Sequence, residues 1–166
     1  MIEIKYKKLT PNAKAPVMAN PGDACYDVCA TAFKQEAGVI VVSTGLAFAI
    51  PPGYEMQVRS RSGLGSKGIF VTNGIGTIDS GYRGEVKVLL SSVGGNAFLS
   101  DFDKVLKIAN VEIKVGDRVA QLAIREVPPS VMIEVEDLDE TERGTGGFGS
   151  TGLSPLQETK QERPKG

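Results

Sequence analysis

The sequence predicts an all-β protein, a jelly-roll-like β-barrel with one short helix and a glycine-rich C-terminal arm. Short runs rich in Val and Ile recur along the chain and are separated by Pro and Gly clusters typical of turns. Strands this short need a closed or double-sheet arrangement to protect their edges. The 166 residues fit one domain. We predict strands at 2–9, 39–50, 54–59, 85–93, 105–115, 119–127 and 131–136.

Two segments depart from the strand pattern. Residues 62–68 look helical, but their three glycines limit the helix to one or two turns. From Arg143 onward the chain is first Gly-rich and then dominated by Gln, Glu, Lys, Pro and Ser, with too little apolar surface to fold alone. We therefore predict a barrel core at 1–142, a mobile Gly-rich arm at 143–152 and a disordered tail at 153–166.

Composition excludes several kinds of chemistry. Histidine is absent, which excludes Ser-His and Cys-His dyads and His-ligated zinc. The formal charge of −1 predicts no broad basic face for nucleic acid. Cys25 and Cys29 lie four apart in an extended stretch, about 13 Å, which is too far for a disulfide and favours a reduced cytoplasmic protein. No apolar run reaches membrane-spanning length, so we expect a soluble chain without a membrane partner.

The arm carries functional groups suited to a nucleotide. Its sequence, RGTGGFGSTG, combines a guanidinium, glycine amides that permit close approach, two hydroxyls and an aromatic ring. Such groups are suited to binding the phosphates and the base of a nucleotide. The alternative is a flexible linker, and the segment is not a Walker loop because no Gly-Lys-Ser/Thr ending follows a strand.

A second phosphate contact is predicted at the start of the short helix. Ser62 and Gly63 lie where unpaired backbone N–H groups and the helix dipole favour an anion. The alternative is that Ser62 simply caps the helix, and the two interpretations are compatible.

The glycine-punctuated bend at 73–84 provides a candidate general base. With no histidine available, Asp79 is the best candidate to take a proton from water. Taken alone, Asp79 is more often a turn residue that hydrogen-bonds its own backbone. Asp27 and Gln121 are weak candidates singly, and Asp117 is most simply a turn residue.

Together, five segments resemble the five ordered motifs of the homotrimeric dUTP pyrophosphatase (dUTPase) family. They span most of the chain, and their order and spacing make the resemblance specific. The segments are ACYDV at 24–28, RSGLG at 61–65, GTIDSGYRG at 76–84, GDRVAQL at 116–122 and RGTGGFGSTG at 143–152.

The resemblance implies a jelly-roll trimer that hydrolyses dUTP to dUMP and pyrophosphate at subunit interfaces, the arm reaching a neighbouring site. Asp79 would activate the water that attacks the α-phosphorus in line. Mg²⁺ would gather the triphosphate oxygens, with Asp27 holding the ion through waters. The implied phosphate contacts are Arg61, Ser62, Gly63, Gln121, Arg143, Gly149, Ser150 and Thr151.

Base and sugar selection also follow from the resemblance. A β-hairpin would pair its backbone with the uracil edge and exclude the methyl group of thymine. Tyr82 would pack on the deoxyribose and exclude a 2′-hydroxyl, and Phe148 would stack on uracil. The hairpin carries over to Asn73, Gly76, Thr77, Ile78 and Asp79, together with the strand near Lys87.

The chain departs from the family pattern at three places. Cys25 replaces a usual Gly, and Gly81 replaces a frequent carboxylate. The stretch 94–112 is longer than the usual link, which indicates an extended surface hairpin or, alternatively, a docking segment for a protein partner. The alternatives to a dUTPase alone are a dCTP deaminase-like enzyme of the same fold, which the Phe-bearing arm disfavours, and a dUTPase that is also a regulatory binding module.

Overall fold

A computed structural model describes residues 1–94, 97–100, 104–148 and 150. They divide into two compact units, Met1–Pro129 and a second that begins at Ser130. The predicted tail at 153–166 lies outside the described residues. No helix in the described part of the chain is long and apolar enough to cross a membrane.

The fold is all-β with one short helix, as predicted. In chain order the elements are β1 (Lys5–Lys8), β2 (Tyr26–Cys29), β3 (Ala32–Glu36), β4 (Val39–Ala49), β5 (Tyr54–Arg59), α1 (Ser62–Gly65), β6 (Ile69–Val71), β7 (Gly76–Ile78), β8 (Glu85–Ser92), β9 (Ala97–Ser100), β10 (Val105–Ile108), β11 (Val111–Lys114) and β12 (Arg118–Glu126).

Strand β4 is the centre of a five-stranded sheet. One of its edges pairs with β8, and the other is shared by β3 and β1. Gly45 lies between the half of β4 that pairs with β3 and the half that pairs with β1. The register of β4 against β8 also shifts here, between Ser43 and Ala47. The φ of Gly45 is 66°, and a Cβ there would lie 2.7 Å from Thr10 Oγ1, so the position requires glycine.

Two further sheets complete the first unit. One has the strand order β2-β12-β5-β7, and the other has β11-β10-β9. Alternation within the strands sends one set of side chains inward, where the apolar residues of all three sheets form one core. Its largest fully buried members are Ile40, Leu46, Ile50, Met56, Ile69, Leu90, Leu106, Ile108 and Leu122.

Three sequence predictions were wrong in detail. Residues 131–136 alternate like a strand, but the structure gives them no strand, because a strand requires a partner to receive its hydrogen bonds. Residues 105–115 form a hairpin rather than one strand, since Ala109 and Asn110 adopt the positive φ values of a tight turn, 48° and 60°. The helix ends at Gly65, short of the predicted 68.

The 94–112 stretch is more than a surface hairpin. Strands β9, β10 and β11 form a three-stranded sheet, and Leu106 and Ile108 of the stretch pack into the core from one of its faces. Removal of the stretch would therefore remove part of the core.

Candidate functional site

A cavity of about 520 Å³ opens where the two larger sheets separate. Strand β6 pairs with β8 in one sheet while the next strand, β7, pairs with β5 in the other. Strands β6 and β7, adjacent in the chain, thus belong to different sheets, and the pairing of this region with uracil stays a prediction. The volume lies in the range of small-molecule sites, roughly 300–1,000 Å³.

The residues predicted to select base and sugar line this single cavity. They are Asn73, Gly76, Thr77, Ile78, Asp79, Tyr82 and Lys87. Val58, Val71 and Leu89 supply apolar walls, and Glu85 a carboxylate, that sequence reasoning missed. Glu85 lies two residues before Lys87 on β8, so strand alternation was the signal that could have found it.

The position of Tyr82 in the cavity depends on a glycine. Its hydroxyl donates a hydrogen bond to the Glu85 carbonyl oxygen over 3.0 Å. A Cβ at Gly84 would lie 2.4 Å from that hydroxyl oxygen, so only glycine lets the ring lie here. The Tyr82 backbone N–H donates to the Asp79 carbonyl over 3.1 Å, which places the Asp79 side chain at the cavity beside the ring.

Gly76 has a similar role under Asn73. A Cβ at Gly76 would lie 3.2 Å from both Asn73 Nδ2 and Val58 Cβ, which is tighter than ordinary packing. The Asn73 amide therefore lies directly against the β7 backbone. This contact brings a side-chain donor and acceptor together with the main-chain groups of β7.

A cluster of charged groups forms on the outer face of the four-stranded sheet. The Asp27 carboxylate, only 6% exposed, accepts from Arg61 Nε over 2.9 Å and from Arg118 NH1 over 2.8 Å. Arg61 also donates through NH1 to the Arg118 carbonyl oxygen over 3.3 Å. Three of the predicted motifs are thus brought together, and Arg118 is a member that sequence reasoning missed.

Gln121 and Ser62 lie next to this cluster. Gln121 of β12 is the register partner of both Asp27 and Arg59, so their side chains share the outer face. Ser62 and Gly63 begin α1 directly after Arg61 and are exposed. Arg61 occupies the N-cap position and no side chain caps the helix, so the capping role considered for Ser62 is wrong.

The remaining candidates lie in the second unit. Arg143 Nε donates to the Gly146 carbonyl oxygen over 2.9 Å, and the Ser150 N–H donates to Gly147 over 3.0 Å, so the arm forms successive tight turns. The Phe148 ring is fully exposed. Gly149 and Thr151 lie outside the described residues, and the role of the arm stays a prediction.

The described residues fit a magnesium ion only through water. They contain no group of three or more His, Cys, Asp or Glu side chains able to hold a metal. Each Asp27 oxygen already accepts one guanidinium hydrogen bond, but a carboxylate has about four lone-pair sites. Asp27 therefore keeps capacity to accept a hydrogen bond from a metal-coordinated water.

The two cysteines are free thiols, as predicted. Cys29 borders the charged cluster as the register partner of Arg118. Burial raises the pKa of the Cys29 thiol, which makes it less reactive than an ordinary cysteine. Asp117, predicted to be a turn residue, is one, since its carboxylate accepts from the Lys114 N–H over 2.8 Å.

A cavity of nucleoside size and a separate guanidinium cluster, carried by a jelly-roll-like framework, define the class of all-β nucleotide-binding proteins. The sequence model of the dUTPase family matches residues 11–152. The chain therefore belongs to the dUTPase family.

Relatives and solved structures agree with this assignment. The deoxyuridine 5'-triphosphate nucleotidohydrolases of Wolinella succinogenes and Zymomonas mobilis are 44% and 47% identical to the chain, which they match over 92% of its length and 96% and 97% of theirs. A mutant dUTPase of Staphylococcus bacteriophage 80alpha, solved with dUpNHpp, matches with a TM-score of 0.70 at 28% identity, over 92% of this chain and 100% of that one. A phage phi11 dUTPase mutant, with a TM-score of 0.64 at 26% identity over 82% of this chain and 98% of that one, is described as coordinating a structural Mg(II) ion.

Proposed function

We propose that this chain hydrolyses dUTP to dUMP and pyrophosphate. One observation carries the proposal: the residues predicted to select uracil and deoxyribose, though spread over β7, the following turn and β8, line one cavity. Family membership supports the same substrate, since the relatives are named for dUTP and the phage 80alpha structure holds dUpNHpp.

In this proposal the cavity binds the nucleoside. Main-chain groups of β7 and the Asn73 amide hydrogen-bond the uracil edge, and their close approach to the base excludes a methyl group at C5. The Tyr82 ring, fixed by Gly84 and the Glu85 carbonyl, lies against the deoxyribose and excludes a 2′-hydroxyl. Lys87 completes the cavity wall, and Phe148 stacks on the base when the arm closes.

The phosphate chain binds the charged cluster. Arg61, Gln121 and the Ser62 and Gly63 backbone amides supply donors suited to phosphate oxygens. The arm adds Arg143, Gly149, Ser150 and Thr151. The cluster holds two guanidinium groups and one carboxylate, which leaves net positive charge to meet the triphosphate.

Asp79 is the general base in the proposed reaction. Its carboxylate takes the proton of the attacking water, the water oxygen bonds to the α-phosphorus, and the bond from that phosphorus to the bridging oxygen breaks in line. When bound, Mg²⁺ neutralises charge on the phosphate oxygens, with Asp27 contacting its waters.

The substrate is tested by pyrophosphate release from dUTP, dTTP, dCTP and UTP, with and without Mg²⁺. We expect turnover of dUTP alone and only with the metal. Comparable rates on dTTP would contradict the uracil assignment. Release of ammonia from dCTP would instead identify the deaminase of the same fold.

The working unit is proposed to be a homotrimer with active sites at subunit interfaces. One observation supports assembly. Val131, Met132, Ile133 and Leu138 are each at least three-quarters exposed, an apolar run typical of a protein contact.

Sedimentation equilibrium tests the assembly. We expect a mass three times the 17.6 kDa of the chain, and dissociation by Ile133→Asp. The exposed Glu134→Gln change is the matched control and should keep the trimer. A monomer that hydrolyses dUTP at full rate would contradict the shared site.

The free thiols fit a reducing compartment, and we place the enzyme in the cytoplasm.

A second function, docking of a protein partner at 94–112, is favoured by one surface. A concave region of about 570 Å³ is lined by Phe98 and Val93, which are 67% and 79% exposed, and by Ser92, whose buried hydroxyl has no hydrogen-bond partner among the described residues. Phe98→Glu changes this surface without removing the core residues. We expect the Phe98→Glu variant to keep dUTP hydrolysis and to lose binding of the protein partner. A complex with that partner that survives the change would contradict the docking function.

A further inference from the structure

We propose that Arg118 is a positioning residue of the phosphate site, acting through Asp27 on Arg61; this inference rests on the proposed function. Nothing in the five motifs distinguishes Arg118 from a surface charge, and its side chain is 53% exposed. Yet it binds a carboxylate that is only 6% exposed. The burial of its partner Asp27, and not the exposure of Arg118 itself, indicates a functional role for Arg118.

A β-bulge directs Arg118 toward Asp27. Opposite Cys29, Val28 and Asp27, strand β12 presents Arg118, Ala120 and Gln121, so one extra residue lies between Arg118 and Ala120. That residue, Val119, is fully buried, as is Ala120. In a regular ladder Val119 would face outward and Arg118 inward; the bulge reverses the two and brings the guanidinium to the outer face.

Asp27 then holds Arg61 in one orientation. Arg61 Nε binds one Asp27 oxygen while its NH1 binds the Arg118 carbonyl oxygen. These contacts use two of the five N–H donors of the guanidinium, leaving three for a ligand. Because Arg118 occupies the other Asp27 oxygen, the carboxylate cannot turn away from Arg61. Both the side chain and the main chain of Arg118 therefore fix the phosphate-binding arginine.

The experiment measures binding of dUpNHpp and of dUMP by calorimetry, with Mg²⁺, for the full chain. Arg118→Met is expected to weaken dUpNHpp binding about tenfold, the loss typical when the partner of a ligand-binding group is removed. Binding of dUMP, which depends mainly on the nucleoside cavity, should change less than about twofold. Arg118→Lys retains a cation and should stay within about threefold of the parent.

Two further variants separate positioning from direct contact. Arg125→Met removes an exposed arginine from the same strand and should bind both ligands like the parent. In an Arg61→Met background, Arg118→Met should have little further effect, because its action passes through Arg61. Additive losses would overturn positioning and make Arg118 a direct phosphate contact.

The affinities of Arg118→Met for dUpNHpp and dUMP also test the positioning role. Unchanged dUpNHpp affinity in Arg118→Met, or equal losses for dUpNHpp and dUMP, would overturn the inference, the second by showing a merely structural role. Should the parent chain fail to bind dUpNHpp, the proposed function itself would be wrong. The two failures are thus distinguishable.

Discussion

At the scale of single residues, the site depends on a few side chains whose positions are set by their backbone neighbours. Asp79 and Tyr82 are joined by a turn hydrogen bond and share the cavity. Two glycines let a side chain lie directly against the main chain: Gly76 accommodates Asn73, and Gly84 accommodates Tyr82. In the proposed reaction, chemistry and selectivity therefore belong to different residues of one turn, Asp79 and Tyr82, and each can be changed separately.

Asp79→Asn separates chemistry from binding. The change removes proton acceptance with little change of volume, so kcat should fall by about 10² to 10⁴ while the dUTP dissociation constant stays within about threefold. Single-turnover kinetics and calorimetry measure the two quantities. Asp117→Asn, in a turn away from the cavity, is the control and should turn over normally. Retained turnover in Asp79→Asn would assign the base elsewhere.

Gly84→Ala should damage sugar selection. The new methyl group would lie 2.4 Å from the Tyr82 hydroxyl oxygen, so the ring must move and lose its bond to the Glu85 carbonyl. We expect the preference for dUTP over UTP, measured as the ratio of kcat/KM, to fall about tenfold. Gly81→Ala, in the same turn with open space around its Cβ, should keep the preference. Equal selectivity in the two variants would show that Tyr82 does not discriminate between deoxyribose and ribose.

At the scale of elements, irregularities in the strands place the functional groups. The bulge in β12 directs Arg118 to Asp27, and the register of β4 against β8 shifts around Gly45, where the other edge of β4 changes partner from β3 to β1. The Gly45 N–H also donates to a Glu85 side-chain oxygen over 2.8 Å. The shift in β4 thus supports a residue that lines the cavity.

Gly45→Ala should lower the free energy of unfolding by about 3 kcal/mol, from positive φ and from contact with Thr10 and Ala13. Gly38→Ala is the control, because Gly38 also has positive φ but open space. It should cost only about 1 kcal/mol. Denaturant unfolding at equal chain concentration measures both, and equal losses would mean that the contacts at Gly45 relax freely.

At the scale of the whole molecule, the arm belongs to a unit separate from the barrel. The core clusters entirely within the first unit. Loss of the arm should therefore affect catalysis more than folding.

Truncation before Arg143 should lower kcat/KM by about 10² or more, because Phe148 and the arm donors no longer close over the substrate. The thermal unfolding transition of the barrel should be retained. Truncation before Leu153, which removes only the tail, is the matched control and should keep full activity. An aggregated product of the shorter truncation would make the arm structural.

The sequence by itself determined the all-β class and most of the strands, because alternation and turn chemistry are local properties, and its ordered motifs identified most of the cavity residues. Only the tertiary structure decided what depends on partners. Residues 131–136 alternate like a strand but pair with no strand among the described residues, and β6 and β7, adjacent in sequence, belong to different sheets. Arg118 shows the same limit. Its contact with Asp27 joins residues far apart in the chain through a bulge, and no local pattern reports a register shift between two strands.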